Sequence, residues 1–483
     1  MTQSNPNLQP PPTEEPASEP AVPSPFGDLL YGLNDKPPVP EALFVALQHV
    51  LASFVGIITP PLIISSALGA SPEVTGYIIS MSLFVSGVAT FIQCRRFGPV
   101  GSGLLSLQGT SFAFLGPVIG VGTAEIAAGR SPEQALALIF GLCFFGAFVE
   151  IFLSRFLHLA NRIITPVVSG TVVMIIGLSL IKTGIISLGG GVIAQQNGTF
   201  ASTQNLLLGG LVLAIIVLLN MTGNRYLRMG AIAIGLIIGY LISLGLGLVN
   251  LANLSDLPIV RLPIPLRFGM SFNFAAFIPF ALLYLITAIE TIGDLTATSA
   301  VSRQPVKGGL YFRRIKGGVL GDGINSMIAA VFNTFPNTTF SQNNGVIQMT
   351  GVGSRYVGYF IAGIFVLLGL LPIVGGVFQA IPQPVLGGAT IVMFGSIAVA
   401  GINIIASTHI DRRSLIIIAV SLALGLGVVY VPELMADKPA LLRNVFSSGI
   451  STGGITAILL NWLLPRNMEQ QGLPMELGES EEA

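Results

Sequence analysis

Charge is what this chain most lacks. Only 9% of its 483 residues are Asp, Glu, Lys or Arg, while 52% are apolar; a soluble domain carries about 25% charged residues. A soluble fold of this length needs a charged surface, and too few polar residues remain here to cover the apolar runs. Cysteine is equally scarce: Cys94 and Cys143 give neither a disulfide framework nor metal-ligand spacing. No His, Cys and carboxylate pattern reads as a zinc site, and no nucleophile–base pair suggests a membrane enzyme. No glycine-rich stretch ends in Gly-Lys-Ser or Gly-Lys-Thr, so ATP would need another subunit. The formal net charge is zero, which implies no nucleic-acid partner.

What the chain has instead is a series of apolar runs between Leu43 and Leu464. Each is about 20 residues long, enough at about 1.5 Å per residue to cross roughly 30 Å of hydrocarbon. The expected fold is an all-α polytopic membrane protein with segments near 42–68, 73–93, 103–121, 133–154, 162–185, 204–220, 228–250, 272–299, 317–334, 341–351, 354–371, 379–401, 413–430 and 445–464. The third and tenth are poor lipid-facing helices. One carries Ser106, Gln108, Gly109, Thr110 and Ser111; the other follows Asn333-Thr334-Phe335-Pro336 and carries Ser341, Gln342, Asn343 and Asn344. Backbone of this kind exists at membrane depth only when buried in protein or lining a cavity, so residues 106–112 and 338–343 are expected to be extended and to face one another.

Residues 1–39, rich in Pro, Glu and Ser, read as a disordered tail rather than a signal peptide, and a second polar, acidic tail spans 466–483. With the N-terminus placed in the cytoplasm, the inner loops collect Arg95, Arg96, Arg155, Arg162, Arg313, Arg314 and Lys316, with His158 and His409 among them, while few basic residues fall outside. The bias favours an even number of crossings and cytoplasmic termini. Pro166-Val167-Val168-Ser169-Gly170 with Gly177 is echoed at constant offset by Pro384-Val385-Leu386-Gly387-Gly388 with Gly395. The echo joins the fifth and twelfth segments, so the two halves would insert with opposite topology. Inverted repeats of this sort build rocking transporters whose site lies where discontinuous segments meet.

The polar residues inside the spans are the candidates for function. Glu290 and Asp294 stand four residues apart, on one face of the eighth segment. A central Asp costs at least about 2.5–3.5 kcal/mol to insert, and acids at that depth usually mark a substrate or ion route; a polar packing network is the competing account, stronger for Asp294. Asp322 stands among Gly317, Gly318, Gly321 and Gly323, either coupling a mobile core or capping a helix that begins there. Gln342 and Asn343 offer paired donors and acceptors that match the edge of a planar heterocycle, or could satisfy the backbone of a broken helix. His49, beside Gln48 in the first segment, could shuttle protons or bond across helices.

At these residues the sequence resembles the nucleobase–cation symporter family 2, the nucleobase–ascorbate transporters. Gln342-Asn343-Asn344-Gly345, with Thr350 beyond it, fits the family signature, while Gln48-His49 and Glu290-Thr291-Ile292-Gly293-Asp294 look like its first- and eighth-segment motifs. The resemblance covers about residues 40–465, and the Gln-Asn form is similar to the xanthine and uric acid branch. The loop Gly98-Pro99-Val100-Gly101-Ser102-Gly103, followed by Gln108-Gly109-Thr110-Ser111-Phe112, looks most like a bacterial xanthine permease. The resemblance implies fourteen spans in two inverted seven-segment repeats, with short strands in segments 3 and 10. It implies a core of segments 1–4 and 8–11 (about 42–154 and 272–371) and a gate of segments 5–7 and 12–14 (about 162–250 and 379–464). It also implies a homodimer in the bacterial inner membrane and proton-coupled purine uptake with no other cofactor. Xanthine is the first choice; uric acid or a broader purine range is the alternative.

Carried over, Glu290 would accept purine N–H groups and Gln342 would meet the opposing amide edge. Asn343, His49 and Ser111 would shape the site, Phe112 would stack on the ring, and Glu290, Asp294 and Asp322 would serve proton coupling. Some members carry Asp two residues after the Thr298 position, where this chain has Ala300, so that role does not transfer. An anion exchanger of similar architecture would favour a basic residue at mid-membrane, and segments 1, 3, 8 and 10 as assigned have neither Arg nor Lys.

Overall fold

The computed structural model describes residues 29–157, 165–249 and 258–465, apart from 407, 409, 436, 440, 441, 443, 444 and 447. Residues 1–28 and 466–483 of the expected tails lie outside the described residues, as do His158 and His409.

Helices dominate. In chain order we label α1 (Val39–Ala67), α2 (Pro72–Arg95), strand β1 (Gln108–Thr110), α3 (Leu115–Ala127), α4 (Pro132–Arg155), α5 (Pro166–Leu188), α6 (Thr203–Met221), α7 (Ala231–Gly245), α8 (Phe274–Val301), α9 (Gly308–Val331), strand β2 (Asn337–Thr339), α10 (Gln342–Thr350), α11 (Arg355–Leu370), α12 (Gln383–Ala406), α13 (Arg412–Tyr430) and α14 (Gly449–Leu463). Their starts follow from local chemistry. Ser71-Pro72, Ser131-Pro132 and Thr165-Pro166 each put a capping hydroxyl before a proline whose missing N–H would have had no helical partner. Ser131 and Gln134 complete a reciprocal box, and Asn273 caps α8 through the N–H groups of Ala275 and Ala276.

Eight helices among the described residues are long and apolar enough to cross a membrane, or nine if α11 and the helix Pro372–Gln379, bent by 76° at their junction, count as one broken span. Of the rest, α3, α7 and α14 are shorter apolar helices, α9 carries Arg313, Arg314, Lys316 and Asp322, and α10 has nine residues. Leu207, Leu218, Leu241, Phe152 and Trp462 are among the large apolar side chains that point outward. Such exposure would be a liability in water and is natural against lipid.

Packing sorts the helices into two sets. In one, α2 lies along α11 and α4 along α9 and α8, with α1 and α3 alongside; in the other, α5 lies along α12, α13 along α14, and α6 along α7 and α12. The echoed helices α5 and α12 thus pack on each other. A Cβ on Gly177 would come 2.7 Å from Ala398 Cα and from Phe394 O, so only glycine allows this approach, whereas its counterpart Gly395 faces open space.

The strands pair antiparallel, with Gln108 opposite Thr339, Gly109 opposite Thr338 and Thr110 opposite Asn337. They are shorter than the stretches expected from sequence. Phe112–Phe114 form a 3-10 turn leading into α3, and Gln342 and Asn343 begin α10 rather than continuing β2. Once the ladder ends, each chain meets its backbone demand by turning into a helix. Residues 29–38, placed in the disordered tail from composition, pack on the fold: Tyr31 bridges Val352, Leu33 is 4% exposed, and Ser354 Oγ donates to Asp35 O at 2.6 Å. Tyr31 and Leu33 supply the apolar surface that holds this stretch down.

Candidate functional site

The strand pair is the floor on which the candidate residues assemble. Gly109 makes room for the Phe340 ring, which also lies so close to α1 that a Cβ on Gly56 would come 2.7 Å from it. Beyond β2, α10 starts with Gln342, half-buried, and Asn343, 1% exposed. Asn343 Nδ2 donates to Leu105 O at 2.6 Å, tying α10 to the segment before β1, while Asn343 Oδ1 has no partner. His49 of α1 is fully buried beside Asn343, and neither ring nitrogen has a partner in hydrogen-bonding geometry. Gln48 Oε1 and Ser111 Oγ are likewise buried and unpartnered. Buried polar atoms in folded proteins are nearly all satisfied. Unpartnered buried polar atoms thus occur around α1, α10 and the strand ends, as they do elsewhere among the described helices at Ser86, Ser179 and Ser421.

Helix α8 brings acids to the same region. Glu290 is half-buried with Oε2 enclosed and unpartnered, and its electrostatic neighbours are Asp294 and Asp322. Asp294, one turn on, accepts from Thr339 Oγ1 of β2 at 3.1 Å. Thr298 donates to Asn344 Oδ1 of α10 at 2.8 Å, fixing α8 to the broken segment a second time. Phe112 stands edge-on to Phe394 of α12, with centroids 5.4 Å apart, so the start of α3 touches the second helix set.

Asp322 belongs to a different junction. It lies in the middle of α9, fully buried, which excludes the helix-capping alternative. Its Oδ1 accepts from Gln93 Nε2 of α2 at 2.7 Å and its Oδ2 from the Thr291 hydroxyl of α8. Gln93 also donates to Gly318 O at 2.8 Å and accepts from Ser102 N at 2.9 Å. The surrounding glycines have a packing reason: a Cβ on Gly317 would fall 3.0 Å from Pro99 O, and one on Gly321 would fall 2.9 Å from Gln93 Nε2.

The candidates therefore form two linked groups. Glu290, Asp294, His49, Ser111, Gln342 and Asn343 cluster around the strand ends, and Asp322 joins α2, α8 and α9 behind them. Sequence reasoning passed over Gln93 and gave no separate role to Thr291 and Thr339, polar residues that periodicity does not distinguish from packing hydroxyls and amides. It also passed over Glu150 of α4, which is 1% exposed with both carboxyl oxygens unpartnered. Its signal was the one that exposed Glu290, a lone acid in an apolar run, Phe148-Val149-Glu150-Ile151-Phe152. The two ion pairs found among the described residues, Arg130–Glu125 and Arg267–Glu73, involve none of these acids.

Known proteins share this sequence pattern and this fold. A permease family matches residues 40–434. The chain is 51% identical over 449 residues to the xanthine permease XanP of Escherichia coli, covering 93% of this chain and 97% of that one. It is 46% identical over 455 residues to the xanthine permease XanQ of the same organism, covering 94% and 98%. The uric acid-xanthine permease of Emericella nidulans is 33% identical over 483 residues, covering 92% of this chain and 84% of the fungal one. Among solved structures, the transmembrane domain of the cyanobacterial bicarbonate transporter BicA aligns with a TM-score of 0.54 at 16% identity, covering 84% of this chain and 96% of that one. The murine Solute Carrier 26 family member A9 anion transporter, inward-facing, gives 0.56 at 12% identity, covering 89% and 69%. At those identities the likeness is one of fold alone.

Proposed function

This chain belongs to that permease family, nucleobase–cation symporter family 2 with its xanthine permeases, and we propose that it couples proton entry to uptake of a purine, with xanthine the preferred substrate. Membership makes it a transporter and not an enzyme, spanning the inner membrane many times. The carrying observation is the enclosed, unpartnered Glu290 Oε2 on α8, with His49 and Asn343 buried against each other beside the paired strands.

In this reading Glu290 accepts N–H donors of the purine and Gln342 meets the opposing amide edge. Asn343, His49 and Ser111 hold the remaining polar contacts, and Phe112 gives the ring an apolar face. Asp294 and Asp322 tie substrate and proton occupancy to the helices around them through Thr339, Thr291 and Gln93. The set containing α1–α4 and α8–α11 serves as transport core and the set containing α5–α7 and α12–α14 as gate, with fourteen spans in two inverted repeats, both termini cytoplasmic, and a homodimer formed through the gate. The two packing sets and the positions of the broken segments support this division. Alternating access then follows from rocking one set against the other around the fixed site.

The test is accumulation of radiolabelled xanthine by the purified protein in proteoliposomes under an inward proton gradient, with uric acid, other purines and bicarbonate as competitors. Accumulation that a protonophore abolishes and purines alone suppress supports the proposal. Bicarbonate uptake by the same proteoliposomes without xanthine accumulation would instead favour an anion exchanger of similar architecture. The site opposes that reading, because none of its residues is an Arg or Lys that could pair with an anion.

A further inference from the structure

Three arginines gather at one end of the helices without an acid to answer them. Arg96 follows the end of α2, Arg314 lies in the second turn of α9, and Arg355 opens α11. Arg96 turns the chain out of α2 at a φ of 59°, which few residues other than glycine adopt. A Cβ built on Gly103 would lie 3.6 Å from Arg96 Cδ and 3.9 Å from Arg355 Nη1, so both side chains converge on the loop 97–103. The same loop lies on α9. Gly101 N donates to Gly317 O at 2.8 Å, and a Cβ on Gly317 would fall 3.0 Å from Pro99 O. Arg314 stands three residues before Gly317, on the same face of the helix, and its electrostatic neighbours are Arg355 and Arg96.

A guanidinium keeps its charge at any ordinary pH, and these three are partly withdrawn from water. Arg314 is 9% exposed, while Arg96 and Arg355 are half-buried. The acceptors they reach are neutral: Arg314 Nη1 donates to Gln304 Oε1 at 2.8 Å and Arg96 Nε to Gly98 O at 3.3 Å. Neither ion pair found among the described residues includes them, and Asp35 of the adjoining stretch 29–38 accepts from Gly32 N instead. Like charges drawn together in a partly desolvated place repel, and an anion offsets that cost.

The depth of the cluster selects the anion. Helix α2 is long and apolar enough to cross a membrane, and it ends at Arg95. Beside Arg96, the rings of Phe91 and Phe97 are exposed with centroids 5.9 Å apart, and Phe91 stands 5.4 Å from Tyr359 of α11. Exposed apolar rings next to cations mark the boundary where acyl chains give way to headgroups. We propose that Arg96, Arg314 and Arg355 bind the phosphate of an anionic phospholipid whose acyl chains lie along Phe91, Phe97 and Tyr359. The phosphate oxygens accept from the guanidinium forks. The bound lipid braces the loop whose Ser102 N meets Gln93 Oε1 at 2.9 Å. In the orientation proposed above, it belongs to the inner leaflet.

The test titrates the purified full-length protein in detergent with phosphatidylglycerol, and with zwitterionic phosphatidylcholine for comparison. Bound lipid is counted by native mass spectrometry, and the unfolding temperature is followed alongside. Wild type should hold phosphatidylglycerol more tightly than phosphatidylcholine and unfold at a higher temperature with it. Arg96→Gln and Arg355→Gln should each weaken phosphatidylglycerol by about 10-fold or more, the loss expected when hydrogen bonds to a charged group are removed. Lys316→Gln removes an exposed cation from the same end of α9 and should cost about 5-fold or less, the share of one charge in a general surface attraction. Arg355→Lys keeps the charge without the fork and should fall between. Equal losses in Lys316→Gln and the arginine variants overturn the site in favour of diffuse attraction. So does a wild type with no preference for phosphatidylglycerol, a result that holds whether or not the variants fold. Stabilisation by inorganic phosphate with none by phosphatidylglycerol assigns the cluster to a soluble anion and overturns the lipid. None of these measurements involves transport, so their outcome is independent of the purine reading.

Discussion

Replacing Glu290 by Gln exchanges one carboxyl oxygen for NH₂ and tests direct purine recognition. An ionised glutamate presents acceptors only, whereas glutamine presents one carbonyl and an NH₂ that must point somewhere. Glu290 Oε2 is enclosed and takes no donor from the protein, so any mismatch falls on the ligand rather than on an internal bond. Xanthine offers adjacent ring N–H groups, and the amide leaves one of them unpaired or sets NH₂ against N–H. A buried polar group left unmatched costs about 1–3 kcal/mol, or roughly a 5- to 150-fold rise in Kd. Asp294→Asn is the internal control. Its Oδ2 already takes the Thr339 hydroxyl at 3.1 Å, so its effect on Kd should stay within about 5-fold, the net worth of one ordinary hydrogen bond. The assay is equilibrium binding of labelled xanthine to purified, folded protein at pH 6 and pH 8. Unchanged affinity of Glu290→Gln at both values would refute direct recognition and leave Glu290 a packing or coupling residue.

Asp322→Asn should retain most xanthine binding by calorimetry while gradient-driven uptake falls about 5-fold or more; loss of binding together with the fold would show that the Gln93–Asp322–Thr291 junction only holds helices together. Thr339→Val removes the donor to Asp294 and should lower thermal stability by about 1 kcal/mol equivalent or less, with a drop in uptake; wild-type uptake would show that the β2–α8 link is not used in transport. Gly177→Ala should cost about 1–3 kcal/mol through overpacking of α5 on α12, seen as a lowered unfolding temperature in detergent, whereas Gly395→Ala should be silent because nothing faces it. Equal effects of the two substitutions would contradict the asymmetric packing of the echoed glycines.

Much of this protein can be read from its residues in order. The shortage of charge and the length of the apolar runs decide for a membrane, because no other solvent accepts that surface. The polar breaks at 106–112 and 338–343 announce irregular backbone, since a lipid-facing helix cannot carry them. The i,i+4 placement of Glu290 and Asp294 follows from helix geometry alone. What order along the chain does not contain is which distant groups meet. Asp322 finds Gln93 across 229 residues, and Asn343 finds Leu105 across 238. Helices apolar on nearly all sides give no periodic signal of which face meets which neighbour. The exact strand register, the end of β2 before Gln342 and the burial of Glu150 were decided by how the helices pack, through glycine contacts such as Gly323 on Ile151. A carboxylate gets its role from its donors and its neighbouring charges. Those are settled only when the chain has closed around it.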